Sequence, residues 1–431
     1  MNELDRISEL PDPLICQILY HLSTRAAVRT SVLSTRWRTL WLWVPSLDLI
    51  YRDDLDALVN FGDRFFHSHR VSCIDKVELL VPSYKKHEGG DDPSYVTPWI
   101  DAAVKRKIQH LAVVNFPAGS CSSNHDGWVK CYLHQMPLSL YICETLVSLR
   151  LLEVQLPDSE FISLPCLKIL HLSILWNPSE ATFERLVSSS PVLEELNVCG
   201  FWNENVQVFR VISKSLKDLT IATLFTGSKV VIDAPRLGFL SIDSSLSECY
   251  VITNMDSTNV ELVIHLGNNF EDYDEASLLP NSDRFSSFLS GISKVRDITI
   301  LGNSFKGYSW CKWLPPILES CPNLKSLSLE CCYAEHPEAV LPLEDVDEIK
   351  FSHVPQCLLS SLEFVDLHHV PLSRVVGEML VRYIIDNSAI LKKLTLHLHK
   401  DCSTEDELVK KLLKIPRGSA KCEVVFVDWI A

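Results

Sequence analysis

The chain has 431 residues, of which 47% are hydrophobic and 22% charged, and its formal net charge is −15. This length is too great for one compact core, so we expect several domains or one extended repeat array. The negative charge argues against nucleic-acid binding as the main activity, because proteins that bind phosphate backbones present a basic face.

The first fifty residues predict a small helical module with more apolar surface than it can bury within itself. Asp12 is placed to cap a helix with Pro13 at its first position, and Ser23 or Thr24 can begin a second helix. A third turn is expected within 34–43. The first helix carries one apolar stripe at helical spacing, formed by Leu14, Ile15, Ile18, Leu19 and Leu22. Because so short a domain rarely stands alone, we expect it to dock on a partner.

This segment resembles the F-box, in particular its plant form. The resemblance rests on the lead-in DRIS at 5–8, on Leu10-Pro11, on SVLSTRW at 31–37, on Leu40-Trp41 and on VPSLDL at 44–49. It implies that the module binds the SKP-type adaptor of cullin–RING ubiquitin ligases. Some of the apolar residues must instead hold the helices together, and the sequence does not apportion them. The alternative is a helical cap that seals the end of a solenoid. The adaptor contacts implied by the resemblance are Leu10, Pro11, Leu14, Ile15, Ile18, Leu19, Val32, Leu33, Trp37, Leu40 and Trp41.

One apolar pattern, h-x-x-h-x-h, recurs along the rest of the chain. From Leu149 to Leu240 its central residues are 21, 26, 23 and 21 positions apart, spacings that are typical of leucine-rich repeats. Two further copies, Val260/Val263/His265 and Val346/Ile349/Phe351, fit the pattern poorly. The eleven clear copies begin at Ile74, Ile108, Leu146, Leu167, Leu193, Leu216, Leu237, Val295, Leu324, Leu362 and Leu391.

The residue between the last two apolar positions of each copy is polar in ten of the eleven copies. Since side chains alternate along a strand, this residue should point away from the core. The pattern therefore predicts parallel strands that line the concave side of an arc, with helices such as 179–188 and 310–319 outside. A solvated face without any ligand is the alternative to a binding surface. The candidate target-binding residues on this face are Arg150, His171, Asn197, Thr220 and Ser241.

The repeats resemble the irregular leucine-rich repeats that follow plant F-boxes, in phrases such as CETLVSL at 143–149 and SPVLEEL at 190–196. The C-terminal part resembles the FBD domain of the same proteins, with expected helices at 377–387 and 405–413 and a last strand at 422–427.

The resulting fold is α/β. A three-helix F-box occupies 1–50, an irregular leucine-rich-repeat solenoid occupies 51–345, and an FBD-type α/β cap occupies 346–431.

Motifs for catalysis, cofactors and metals are absent from the sequence. It has no G-x-S-x-G, G-x-G-x-x-G, H-E-x-x-H or Cys-x-x-Cys pattern, so we expect neither an enzyme nor a bound cofactor or metal. The pairs His368-His369 and His397-x-His399 lack partners at ligand spacing and are predicted to be solvated or half-buried. No apolar run reaches membrane-spanning length and no signal peptide is recognisable. We therefore expect an intracellular protein of the nucleus or cytoplasm, not a secreted one, with reduced cysteines.

These features predict a substrate-recognition adaptor of a cullin–RING, SCF-type ubiquitin ligase. The F-box would bind the SKP-type adaptor, and the repeat arc would bind an unidentified target protein for ubiquitination and turnover, without nucleic acid or membrane. The alternative is a leucine-rich-repeat scaffold that does not direct degradation. A third hypothesis is an arc that holds a small molecule together with the target.

Overall fold

A computed structural model describes residues 7, 9–52, 54–68, 73–85, 94–117, 131–176, 179–202, 208–222, 229–243, 249–256, 259–266, 283–302, 310–331, 353–368, 375–398, 412 and 414–428. The chain forms two compact units, Met1–Asn205 and Val206–Ala431. Within the described ranges, no helix has both the length and the apolar character needed to cross a membrane.

The α-helices of the described chain are α1 (Asp12–Tyr20), α2 (Thr24–Arg29), α3 (Leu55–His67), α4 (Val96–Lys105), α5 (Glu180–Ser188), α6 (Asp283–Gly291), α7 (Trp310–Ser320), α8 (Gln356–Ser360) and α9 (Val375–Asn387). Short 3-10 turns are found at Thr30–Val32, Leu40–Trp43 and Leu138–Ile142.

The strands of the first unit are β1 (Ser46–Ile50), β2 (Lys76–Lys85), β3 (His110–Pro117), β4 (Cys131–Tyr132), β5 (Ser148–Leu152), β6 (Ile169–Trp176) and β7 (Glu195–Trp202). Six of them form a parallel sheet in the order β1-β2-β3-β5-β6-β7, and β4 pairs antiparallel with the end of β2.

The strands of the second unit are β8 (Val208–Ile212), β9 (Asp218–Ala222), β10 (Lys229–Asp233), β11 (Phe239–Asp243), β12 (Cys249–Asn254), β13 (Val260–Leu266), β14 (Val295–Gly302), β15 (Ser326–Cys331), β16 (Phe364–His368), β17 (Lys393–Leu398) and β18 (Glu423–Asp428). Its main sheet is parallel in the order β9-β11-β13-β14-β15-β16-β17-β18, and β12-β10-β8 form a separate parallel sheet.

The apolar repeat builds the core of both units. All three apolar residues of every one of the eleven clear copies are at most 5% exposed. In register, the last two of them stack from strand to strand, as Leu170 lies beside Leu149 and Leu196. The α/β repeat fold predicted from the sequence is thus confirmed.

The repeat pattern also begins before its first predicted copy at Ile74. Val44, Leu47 and Leu49 have the same spacing, are buried, and place β1 in parallel register with β2. The last five residues of the segment 1–50 therefore belong to the sheet. The boundaries at 50 and 345 themselves remain a prediction.

The structure corrects three local expectations. The third helix of the N-terminal module is not an α-helix: the expected range 34–43 contains the 3-10 turn Leu40–Trp43, which ends where Val44, before Pro45, is extended (ψ 123°). In the second unit, strand β10 lies in the connection from β9 to β11, and strand β12 lies in the connection from β11 to β13, where the repeat pattern predicted outer helices. The alternating β-branched side chains of these two segments favour strands.

The third correction concerns the poorly fitting copy at 260–265. Its buried residues are Val260, Leu262 and Ile264, which alternate along β13, so Leu262 and Ile264 take the last two apolar positions and Val263 lies on the outward row. The copy Val346/Ile349/Phe351 lies outside the described residues, as does the expected helix 405–413 apart from Leu412. The helices expected at 179–188, 310–319 and 377–387 are present as α5, α7 and α9.

Candidate functional site

Helix α1 has two apolar faces, and only one of them is covered. Ile15 and Leu19 are fully buried, whereas Leu14 and Ile18 are 46% and 45% exposed. The sequence predicted one stripe, but each helical residue turns roughly 100° from the last, so the stripe is wide enough to be divided. Leu22, four residues after Ile18, is also exposed. The uncovered face is therefore a run of large aliphatic side chains.

The module packs its own small core, so these exposed side chains are not the result of loose packing. The turn after α2 adds two more exposed residues, Val32 (85%) and Leu33 (65%). Large apolar side chains left exposed on a packed module indicate an interaction surface. The buried core consists of Ile15, Leu19, Ala27, Trp37, Leu40 and Val44.

Arg36 holds the start of α1. Its Nε and Nη2 donate to Oδ1 of Asp12 at 2.8 and 2.6 Å, and Nη2 also donates to the carbonyl oxygen of Leu10. Asp12 is therefore not the helix cap that the sequence predicted, because its carboxylate pairs with Arg36 and Pro11 precedes the helix without a side-chain cap. The contact keeps the segment after the Thr30–Val32 turn beside the beginning of α1.

Two pairs of residues, Tyr20 with Asp75 and Thr24 with Asp48, link the helices of the module to the sheet by hydrogen bonds. The hydroxyl of Tyr20 donates to Asp75, and this hydrogen bond, followed by burial, raises the pKa of Tyr20 to about 12. The amide of Thr24 donates to the carboxylate of Asp48, whose own amide donates back to Oγ1 of Thr24 at 2.8 Å. Because Asp48 lies on β1, the helices and the first strand are held together.

The candidate target-binding side chains stand in register within each unit. Arg150, His171 and Asn197 lie side by side on β5, β6 and β7, and Nε2 of His171 is 2.6 Å from Oε1 of Glu195. Arg150 is exposed, and His171 and Asn197 are half-buried. These three residues form a polar row that a partner can reach.

Ser241 does not fit the predicted binding surface. It pairs with Thr220 on β9, which is half-buried, but Ser241 is only 5% exposed. Its short side chain lies between the larger branched side chains of Thr220 and Val263 on the two neighbouring strands. We therefore remove Ser241 from the candidate target-binding residues.

Family models match three segments of the chain. They are the F-box domain at residues 7–49, the LRR repeats of FBD-associated F-box protein At5g56370 at 96–269, and FBD at 350–396. A putative FBD-associated F-box protein of Arabidopsis thaliana, At5g53635, is 49% identical over 98% of this chain and 100% of its own length. The putative F-box/FBD/LRR-repeat protein At2g05300 of the same plant is 45% identical over 98% of this chain and 97% of its own length.

This chain belongs to the F-box/FBD/LRR-repeat family. The resemblance noted in the sequence is confirmed along nearly the whole chain. The described F-box helices fall inside the matched segment 7–49, and the repeat strands from β3 to β13 fall inside 96–269.

The F-box residues implied by the resemblance divide into two groups. The exposed group is Pro11, Leu14, Ile18, Val32 and Leu33. The buried group is Ile15, Leu19, Trp37 and Leu40. The buried side chains have no surface to offer a partner, so we reassign them from adaptor contact to the core of the F-box. Leu10 and Trp41 are partly buried against that core.

Sequence reasoning missed a side-chain cluster at the FBD end of the chain. Asp366, His368 and His397 come together across β16 and β17, although the histidines were judged to lack ligand partners. The signal was present in the repeat itself, because His368 and His397 both directly follow the last apolar residue of their copies. Aligning the copies with each other, instead of searching each motif alone, finds the pair.

Proposed function

We propose that this F-box protein is a substrate-recognition adaptor of a cullin–RING, SCF-type ubiquitin ligase. The observation that supports this most strongly is the uncovered aliphatic face of the F-box, Leu14 and Ile18 on α1 together with Val32 and Leu33, beside a core that is already filled. This face is the proposed contact with the SKP-type adaptor, as the F-box resemblance implies.

The apolar contribution to such a contact scales with the area it covers. Burying a Leu or Ile side chain contributes roughly 1.5–3 kcal/mol. Four such side chains would supply the apolar part of the association free energy. The rest of the chain then holds the target near the transfer enzyme and raises its local concentration.

The proposed target surface lies on the repeat strands. Arg150, His171, Asn197 and Thr220 remain candidates, because their side chains are exposed or half-buried on the polar face. The role we propose is placement, not catalysis, inside the cell. A large acidic chain with a neutral docking module suits protein partners better than nucleic acid or membrane.

The adaptor contact is tested with the double variant Leu14→Ala, Ile18→Ala in a binding measurement against a purified SKP-type adaptor. We expect affinity to fall about 100-fold, since two side chains lose roughly 1.5 kcal/mol each. The matched control is Leu138→Ala, Ile142→Ala, an equally spaced pair that is 58% and 53% exposed outside the F-box. Unchanged affinity in the first variant, or equal loss in both, would refute the proposed contact.

The same variants separate degradation from scaffolding. The half-lives of proteins that co-purify with the wild-type chain are measured in cells that express each variant. A recognition adaptor requires that the half-lives lengthen with Leu14→Ala, Ile18→Ala and stay unchanged with the control pair. Half-lives that do not respond, while the adaptor contact is lost, would favour the non-degradative scaffold.

A further inference from the structure

Three potential metal ligands meet on the polar face of the FBD-type region. Asp366 and His368 are two residues apart on β16, so their side chains share one face of the strand, and His397 lies opposite His368 on β17. The carboxylate oxygen and the two imidazole nitrogens all lie within 4.8 Å of one another. All three residues are half-buried.

Two of the distances in the cluster are close to those between ligand atoms around a small cation. Oδ1 of Asp366 is 3.0 Å from Nε2 of His397, and Oδ2 is 3.4 Å from Nε2 of His368. Two ligand atoms bound tetrahedrally to zinc at about 2.0–2.1 Å are separated by about 3.3 Å. The observed spacings lie on either side of that value.

The contacts in the cluster do not satisfy the carboxylate. Oδ1 of Asp366 is shielded from solvent and accepts no hydrogen bond, although Nε2 of His397 lies 3.0 Å away. A shielded carboxylate oxygen normally has a hydrogen-bond partner or a cation. The imidazole rings of His368 and His397 stack beside the carboxylate with centroids 3.8 Å apart and planes 13° apart, so one ring must rotate before both nitrogens can face a single ion.

An ordinary histidine–carboxylate pair on the same kind of sheet face looks different. His171 on β6 and Glu195 on β7 meet at 2.6 Å with hydrogen-bond geometry. That pair consists of two groups that satisfy each other. The cluster at Asp366 differs because it has a third group and a shielded carboxylate oxygen that accepts no hydrogen bond.

The strands that carry the cluster are held firmly in place. Val365, Leu367, Leu394 and Leu396, which alternate with the cluster residues, are all at most 1% exposed. Strands β15 and β18 flank the pair on either side. The backbone of a site on packed strands is preorganised, so only the ligand side chains need to adjust when the ion binds.

We propose that Asp366, His368 and His397 bind one divalent transition-metal ion of the zinc class. Two imidazoles and one carboxylate are a donor set that zinc accepts, and three protein ligands leave a fourth position open. Because the cluster is half-exposed, that position is open to water or to a donor side chain of a bound protein. The ion would join β16 to β17 and give the FBD-type region a metal-dependent contact point.

The test uses the full chain, freed of metal by a chelator and titrated with Co²⁺, followed by competition with Zn²⁺. We expect one equivalent of Co²⁺ with a visible spectrum of nitrogen and oxygen ligands and no thiolate charge-transfer band. Asp366→Asn, which keeps the shape of the side chain, and His397→Ala should each weaken Co²⁺ binding at least about tenfold, because even outer-shell changes cost that much. His171→Ala is the matched control and should bind as the wild type does.

A second readout guards against variants that fold poorly. Zn²⁺ should raise the melting temperature of the wild type and of His171→Ala, and this shift should be lost in Asp366→Asn. Equal Co²⁺ affinity in the wild type and Asp366→Asn would overturn the proposal. A spectrum dominated by thiolate, or no uptake of Co²⁺ by the wild type, would overturn it as well.

Discussion

The carboxyl group of Glu153 is buried just after β5. Only 7% of the residue is exposed, and burial raises the pKa of its carboxyl from 4.5 to about 7. Its backbone has a positive φ of 54°, and its carbonyl oxygen accepts a hydrogen bond from Nδ2 of the fully buried Asn115 at 3.0 Å. The backbone contacts therefore hold the side chain where its charged form is disfavoured.

Glu153 predicts a specific pH dependence of stability. Because the folded pKa lies above the unfolded one, the folded chain binds the extra proton between pH 4.5 and about 7, so stability falls as the pH rises through that window. Relative to Glu153→Gln, the wild type should lose about 2–3 kcal/mol of unfolding free energy as the pH rises through this window. Urea denaturation at several pH values measures the difference.

The control for this measurement removes a carboxylate from an exposed site of the same segment, Glu160→Gln. If the unfolding free energy of the wild type changes with pH between 4.5 and 7 in the same way as that of Glu153→Gln, the assignment of Glu153 as a buried acid is contradicted.

At the scale of elements, α3 and α4 pack through a glycine. Gly62 on α3 faces the ring of Trp99 on α4, which is 1% exposed and donates from Nε1 to Oδ1 of Asp63 at 2.8 Å. The ring of Phe66 stacks on Trp99 with centroids 5.9 Å apart. The close approach of the two helices depends on the missing side chain.

Gly62→Ala should destabilise the first unit, although alanine is the better helix former. The added Cβ would lie 2.6 and 2.7 Å from two atoms of the Trp99 ring, and such overpacking costs about 1–3 kcal/mol. Thermal unfolding measures the loss. Gly238→Ala is the control, because its Cβ would meet only a carbonyl oxygen at 3.8 Å. A Gly62→Ala chain as stable as the control would show that α3 and α4 can separate without cost.

At the scale of the whole molecule, the F-box and the repeats share a sheet. Residues 46–50 are strand β1, and the amides of Asp75 and Lys76 donate to the carbonyl oxygen of Pro45 at 2.7 and 3.1 Å. Trp41 stacks on Phe61 of α3, with ring centroids 5.6 Å apart. The adaptor-binding module is thus fixed to the repeats by main-chain pairing as well as by side chains.

Deleting residues 1–50 should do more than remove adaptor binding. It removes β1 and leaves residues 76–80 of β2 as an unpaired parallel edge, which promotes association between chains. We expect a lower melting temperature and oligomers in size-exclusion chromatography with light scattering. The Leu14→Ala, Ile18→Ala chain keeps β1 and should remain as the wild type in both measurements. A monomeric deletion variant with unchanged melting temperature would contradict the structural role of β1.

Much of this protein can be predicted from its sequence, because the decisive signals are local. The spacing h-x-x-h-x-h depends only on the alternation of side chains along a strand, so it identifies the buried residues of eleven strands and the polar row beside them. The F-box, the repeats and the FBD region are recognised from ordered motifs in the same way.

Other features depend on residues far apart in the chain, and only the tertiary structure decided them. Whether Leu14 or Ile15 is buried depends on where Trp37 and Leu40 pack, and the burial of Ser241 depends on its neighbours on β9 and β13. The cluster of Asp366, His368 and His397 likewise requires the register of β16 against β17. The sequence alone determines the pattern along each strand and helix, whereas the packing between elements selects which side chains a partner or a metal ion can reach.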